Sequence, residues 1–224
     1  MTGHFRVMLL FMIIILVHEL GHFVTAFLLG WKIQKIILYP YGGCSYFDED
    51  INVSLKEEFL VLVMGPAIQI LFILFLQYVV SPPTYVLLKR YSYYLLMFNL
   101  LPIYPLDGGK ILGLVLALFV SYYRSLQITI YFSFVFFLCL LFFSSLFFYS
   151  FTWILILVLL LFSLWKEMNQ VSFYYQKFLL ERYFHCYSFP RYKMVNHHYQ
   201  MMRDTYHLVG ELDEKKYLER LFRG

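Results

Sequence analysis

The stretch Val7–Leu29 is apolar apart from a few positions, and three of those, His18, Glu19 and His22, sit together near its middle. About 20 consecutive apolar residues cross the hydrocarbon core of a bilayer as a helix. The stretch therefore reads as a transmembrane span. It is too long for a secretory signal, and no small-residue cleavage site follows it. On insertion scales, each ionisable side chain at the centre of a span costs on the order of 3 kcal/mol. Three of them within five positions call for compensation inside the membrane.

Further apolar runs follow at Phe59–Val80, Tyr91–Val120 and Leu126–Trp165. Charged residues make up only 14% of the 224, against roughly a quarter in a soluble domain, so lipid is the expected solvent. Phe and Tyr number 25 and 21, which suits lipid-facing and interfacial positions. The net charge of +4 is scattered between apolar runs rather than gathered on a face, which argues against a nucleic-acid partner. Cys44, Cys139 and Cys186 lie too far apart to suggest a disulfide framework or a thiolate metal site.

Pro102, Pro105 and the pair Gly108–Gly109 interrupt the third run. A helix cannot pass smoothly through them, so a broken helix is expected there. Inside a membrane, such backbone is tolerated only where protein or a water-filled cavity satisfies it. The fourth run is too long for one span and divides near Ser144–Ser145. Between the first two spans, Ile33–Phe47 reads as a surface hairpin with Gly42–Gly43 as its turn. The expected fold is an all-α polytopic membrane protein: about five transmembrane helices, a small surface β-hairpin and a broken helix at the active site. Residues 1–165 form the transmembrane domain. Residues 166–224 form a polar tail, helical in parts. Ten of the 18 Lys and Arg residues lie in that tail, which places it in the cytoplasm.

His18-Glu19-Leu20-Gly21-His22 is an H-E-x-x-H sequence. On a helix, residues four apart share a face, so both imidazoles can bind one zinc ion while Glu19 serves as general base for its water. A hydrogen-bonded histidine pair inside a bundle is the bland alternative. Catalytic zinc takes three protein ligands and keeps an open position. Apart from Glu19, Asp107 is the carboxylate found within the apolar runs. It sits where the broken helix opens, at a depth matching His18 and His22 to within about a turn. It is the expected third ligand, with a helix N-cap as the alternative role. Asn99 could orient Asp107, bind substrate backbone or simply pack between helices. Gln69 lies one turn after Gly65–Pro66, where small residues could serve only close packing. His4, His185, His197, His198 and His207 fall outside the spans and read as solvated.

H-E-L-G-H in an early span, with Pro105-Leu106-Asp107-Gly108-Gly109 in a later one, resembles the site-2 proteases, a family of intramembrane zinc metalloproteases. The run Asn99-Leu-Leu-Pro-Ile-Tyr-Pro-Leu-Asp-Gly-Gly-Lys110 is most similar to a sporulation branch of that family. So are Leu38–Gly43, Lys56–Phe59 and Phe178–Tyr183, and the likeness covers roughly residues 3–185. The resemblance implies one zinc per chain, held by His18, His22 and Asp107, with Glu19 as the base. It implies regulated intramembrane proteolysis in a bacterial membrane surrounding the forespore. The implied substrate is a membrane-associated sigma-factor precursor, and the implied partners include inhibitory membrane proteins. The hairpin, through Gly42 and Gly43, and Asn99 are the expected substrate contacts. Two departures stand out. Members of that branch carry one more span ahead of the H-E-x-x-H helix, and the roughly forty residues after His185 cannot hold their nucleotide-sensing domain. A membrane metalloprotease acting on other membrane or soluble substrates is the alternative enzyme; a metal carrier, which needs no general base, is the non-enzymatic one.

Overall fold

The structure is a computed structural model that describes residues 2–31, 33–39, 42–47, 51–147, 151–185, 187, 189 and 191–223. Two units make up the chain: residues 1–49 with 56–100, and residues 50–55 with 101–224.

The first unit begins with α1, Thr2–Leu28, the helix that carries the H-E-x-x-H sequence. Thr25 donates its hydroxyl to the Gly21 carbonyl, so this polar side chain is satisfied inside its own helix. Gly30 ends the helix at φ 80°, a conformation open to glycine, and Trp31 N–H returns to the Ala26 carbonyl. Strands β1, Ile33–Tyr39, and β2, Gly42–Phe47, pair antiparallel from Tyr39↔Gly42 to Ile33↔Phe47. The expected hairpin is present, but Gly42 and Gly43 open β2 rather than form the turn. The connection falls at 40–41, outside the described residues.

Helix α2, Leu55–Leu76, has Glu57 and Glu58 in its first turn, where the helix dipole favours them, and Pro66 in its interior. Helix α3, Pro82–Asn99, starts with proline at its first position, where no N–H is needed. Ile14, Ile73, Leu88 and Leu95 form the buried core of this unit.

In the second unit residues 101–106 turn, with a cis Tyr104–Pro105 bond, and the chain resumes as α4, Asp107–Ala117. The third apolar run is thus two helices with a break between them, as the prolines predict. Helices α5, Tyr122–Phe147, and α6, Phe151–Phe184, follow; the division falls a few residues beyond Ser144–Ser145. Ile103 from the break packs with Ile130 and Phe137 of α5 and Leu157, Leu160 and Leu164 of α6. Four helices among the described residues are long and apolar enough to cross a membrane: Met8–Leu28, Leu55–Leu76, Tyr122–Ser144 and Trp153–Phe184. The expected count of about five adds the broken run.

The compositional change at Lys166 falls inside α6, which continues to Phe184. The rest of the tail is more than helix. Strands β3, Tyr192–Val195, β4, Tyr206–Val209, and β5, Leu212–Asp213, form a sheet in the order β3-β4-β5, and α7, Glu214–Arg223, closes the module. Val195, Met201, Val209 and Leu218 pack on Tyr175, Phe178 and Leu179 of α6. His207, expected in solvent, is fully buried. Its Nε2 accepts the Met202 N–H at 3.0 Å, and its backbone N–H donates to Glu214 at 2.7 Å. A strand residue facing the module's core has no periodicity signal in so short a run, and that is why its burial was not legible.

Candidate metal centre

Helical spacing puts His18 and His22 on one face of α1, and both are buried. Their Nε2 atoms lie 3.1 Å apart, with the rings at 80° to each other. The partners of the opposite nitrogens fix what those Nε2 atoms are. Gln69 spends its amide N–H groups on the Ser92 carbonyl at 2.9 Å and the Ser92 hydroxyl at 2.8 Å. A carbonyl can only accept, so the Gln69 oxygen must face His18. His18 Nδ1–H donates to it at 2.8 Å. His22 Nδ1–H donates to the Val61 carbonyl at 2.9 Å, which likewise can only accept.

With Nδ1 carrying a proton on both rings, Nε2 is the nitrogen that each ring can offer to a metal. The two Nε2 atoms face each other at 3.1 Å. That separation is close to the roughly 3.3 Å between neighbouring ligand atoms of a tetrahedral zinc with bonds of about 2.0–2.1 Å. Donation of the far ring nitrogen to an amide or carbonyl is the usual second layer of a histidine metal site. The donor chemistry fits zinc.

Two glycines make this geometry possible. A Cβ at Gly65 would collide with the His22 ring, and one at Gly21 would stand 2.6 Å from the Met64 carbonyl. Helices α1 and α2 therefore cross at close range, as small residues allow in membranes. Pro66 lacks an N–H, which leaves the Leu62 carbonyl one turn earlier without its helical donor, and the neighbouring Val61 carbonyl is the one that accepts from His22.

Asn99, at the end of α3, places its amide nitrogen 3.2 Å from His18 Nε2. Glu19 is half-buried on α1. Gly42 and Gly43 lie at the start of β2, which packs against α1.

Asp107 belongs to the other unit, where it is buried in the first turn of α4. The cap position is held by Leu106 with no side-chain cap bond, so the N-cap alternative for Asp107 is not what the backbone shows. Ser133 of α5 accepts the Tyr104 N–H at 2.9 Å and donates to the Thr129 carbonyl at 2.7 Å, which anchors the break to α5. A Cβ at Gly109 would strike the Ile103–Tyr104 peptide. By residue type Asp107 can ligate a metal through its carboxylate, as His18 and His22 of the first unit can through their rings.

Sequence reasoning named both imidazoles, Asp107 and Asn99, but gave no role to Gln69, Ser92, Val61, Gly21 or Ser133. Gln69 carried a usable signal: it is an amide inside an apolar span, and such a group needs a partner.

Residues 6–90 match the model of peptidase family M50. The chain is 35% identical over 194 residues to stage IV sporulation protein FB of Bacillus subtilis, covering 82% of this chain and 66% of that protein. It is 35% identical over 128 residues to a zinc metalloprotease of Methanocaldococcus jannaschii, covering 54% of this chain and 37% of that protein. It thus spans just under two thirds of the first relative and little more than a third of the second. Among solved structures, the site-2 protease from Methanocaldococcus jannaschii is similar, with a TM-score of 0.56 and 28% identity over 71% of this chain and 76% of that one.

Proposed function

The chain belongs to peptidase family M50, the site-2 proteases, and on that premise we propose that it is an intramembrane zinc metalloprotease whose zinc is held by His18, His22 and Asp107. The two Nε2 atoms 3.1 Å apart on an apolar helix, each ring donating through its far nitrogen to a buried acceptor, carry this proposal. Asp107 supplies the third ligand and a negative charge that offsets part of the metal's. Zinc, when bound, polarises the scissile carbonyl and lowers the pKa of water towards neutrality.

Glu19, next to His18 on the same helix, takes the proton of the attacking water and returns it to the leaving amine. Asn99, with its amide beside the ligand face of His18, donates to the substrate backbone. The hairpin of β1 and β2, including Gly42 and Gly43, pairs with an extended substrate segment, because a helical substrate hides its peptide bonds. The substrate is a membrane-associated protein, a sigma-factor precursor as the family resemblance implies, and similarity to a sporulation protein supports a role in sporulation. Inhibitory membrane proteins, a position in the membrane around the forespore and a cytoplasmic tail from residue 166 onward complete the proposal.

Co-expression with a tagged, membrane-tethered sigma-factor precursor, alongside metal analysis of the purified chain, tests it. Glu19→Gln is expected to keep one zinc per chain and stop cleavage. Asp107→Asn is expected to weaken zinc binding as well, since a neutral amide is a poor zinc ligand. Full zinc affinity and appreciable cleavage in Asp107→Asn would remove the third ligand. Cleavage of soluble proteins with the tethered precursor untouched would favour the alternative substrate class.

A further inference from the structure

Helix α3 presents two faces. Thr84, Leu88, Ser92 and Leu95 are buried. Val86, Lys89, Arg90, Tyr93, Tyr94 and Met97 recur at spacings of three and four residues, so they share the opposite face, and all six are exposed. Lys89 and Arg90 make no ion pair among the described residues. Two adjacent cations on a membrane helix, with no carboxylate against them, call for an anion from outside the chain.

The contacts of α3 with α1 set the depth of that face. Asn99 Nδ2 lies 3.2 Å from His18 Nε2, and the rings of Tyr91 and Phe11 meet edge to face with centroids 6.2 Å apart. The two helices therefore run antiparallel, side by side. His18 is central in the apolar span Met8–Leu28, and Met8 precedes it by about 15 Å at about 1.5 Å per residue. The same distance back from Asn99 arrives at Lys89. Lys89 and Arg90 thus stand level with the start of the α1 span, about half the thickness of a hydrocarbon core from His18. Tyr93 and Tyr94 follow one turn deeper, and Met97 a further turn. Interfacial tyrosines sit at headgroup level. Charge, amphipathic ring and thioether succeed one another in the order in which a phospholipid presents phosphate, ester and acyl chain. All of these residues belong to the first unit.

We propose that this face of α3 docks one anionic phospholipid, with its phosphate on Lys89 and Arg90, its ester region on Tyr93 and Tyr94, and an acyl chain along Met97. The guanidinium of Arg90 can take two phosphate oxygens at once, and the ammonium of Lys89 adds a second point charge. A soluble anion would use the cations alone; the graded stripe beneath them fits a lipid. The site stands apart from the metal centre and does not depend on it.

Native mass spectrometry of the full chain in an uncharged detergent, titrated with phosphatidylglycerol or with phosphatidylcholine of the same acyl chains, tests it. The wild-type chain is expected to hold phosphatidylglycerol about 30-fold more tightly, from about fivefold per cation near a charged lipid surface. Lys89→Gln with Arg90→Gln is expected to bring the two lipids level. Arg220→Gln with Arg223→Gln removes the same charge from the exposed end of α7 and is expected to keep the preference. Tyr93→Ala with Tyr94→Ala is expected to weaken both lipids and preserve their ratio. Equal affinity of the wild-type chain for the two lipids would overturn the proposal without any variant. So would a preference that survives Lys89→Gln with Arg90→Gln. Displacement of phosphatidylglycerol by inorganic phosphate or by polyglutamate would give the face to a soluble anion and overturn the lipid.

Discussion

Gln69 accepts the Nδ1 proton of His18 at 2.8 Å while its own amide is committed to Ser92 of α3, so one side chain ties the first three helices together at the ligand. The glutamine is fully buried. Its replacement by leucine keeps volume and helix propensity but leaves His18 without its partner. Metal affinity of Gln69→Leu is expected to fall about 10- to 100-fold, the range for loss of a ligand's hydrogen-bond partner. Competition against a chelator of known affinity measures it, and an unchanged affinity would show that the ring needs no such support.

Gly65→Ala sets two effects against each other. Alanine improves helix propensity by about 0.5–1 kcal/mol, yet its Cβ would collide with the His22 ring. Crowding by backbone-anchored atoms cannot be relieved by rotating a flexible end, so the ring must move. The expected outcome is a folded, membrane-inserted protein that has lost stoichiometric zinc. Zinc retained at one per chain in Gly65→Ala would contradict the observed crossing of α1 and α2.

Ser133 anchors the break ahead of Asp107 through the Tyr104 N–H. In Ser133→Ala that donor loses its acceptor, a loss that costs about 1–3 kcal/mol when the group stays buried. The break should loosen, and the midpoint of thermal unfolding in detergent should fall. Proteolysis should fall too, through Asp107, while Ser125→Ala, one helical turn pair away, leaves it near wild type. Equal effects of the two variants on cleavage would separate Ser133 from the site.

The tail module is expected to open in acid. Burial pushes the Glu214 carboxyl up, but hydrogen bonds from His207 and the guanidinium of Arg182 outweigh it and hold the group below the ordinary carboxylate range. A depressed folded-state value means stability that is complete above the unfolded value of about 4.3 and lost as pH falls through the folded one. Hydrogen exchange of segment 206–209, corrected for intrinsic rates, should therefore stay slow at neutral and mildly acid pH. It should quicken below about pH 4. Glu214→Gln should flatten that dependence, and an unaltered acid response would assign it to another group.

Much of the architecture could be read along the chain because lipid makes local composition decisive. Four long apolar helices follow from the length of their runs, and Pro102, Pro105 and Gly108–Gly109 announce the break because a helix cannot continue through them. The spacing of His18 and His22 puts both on one helical face, and the cost of placing them with Glu19 inside a span demands a compensating cation. What lies at the far side of each imidazole was beyond such arguments. Gln69 and Val61 meet the histidines, and Ser92 meets Gln69, only because α1, α2 and α3 cross at particular rotations, and no periodicity encodes a crossing. The sheet in the tail was equally hidden, since strands of four residues carry too few alternations to show a face.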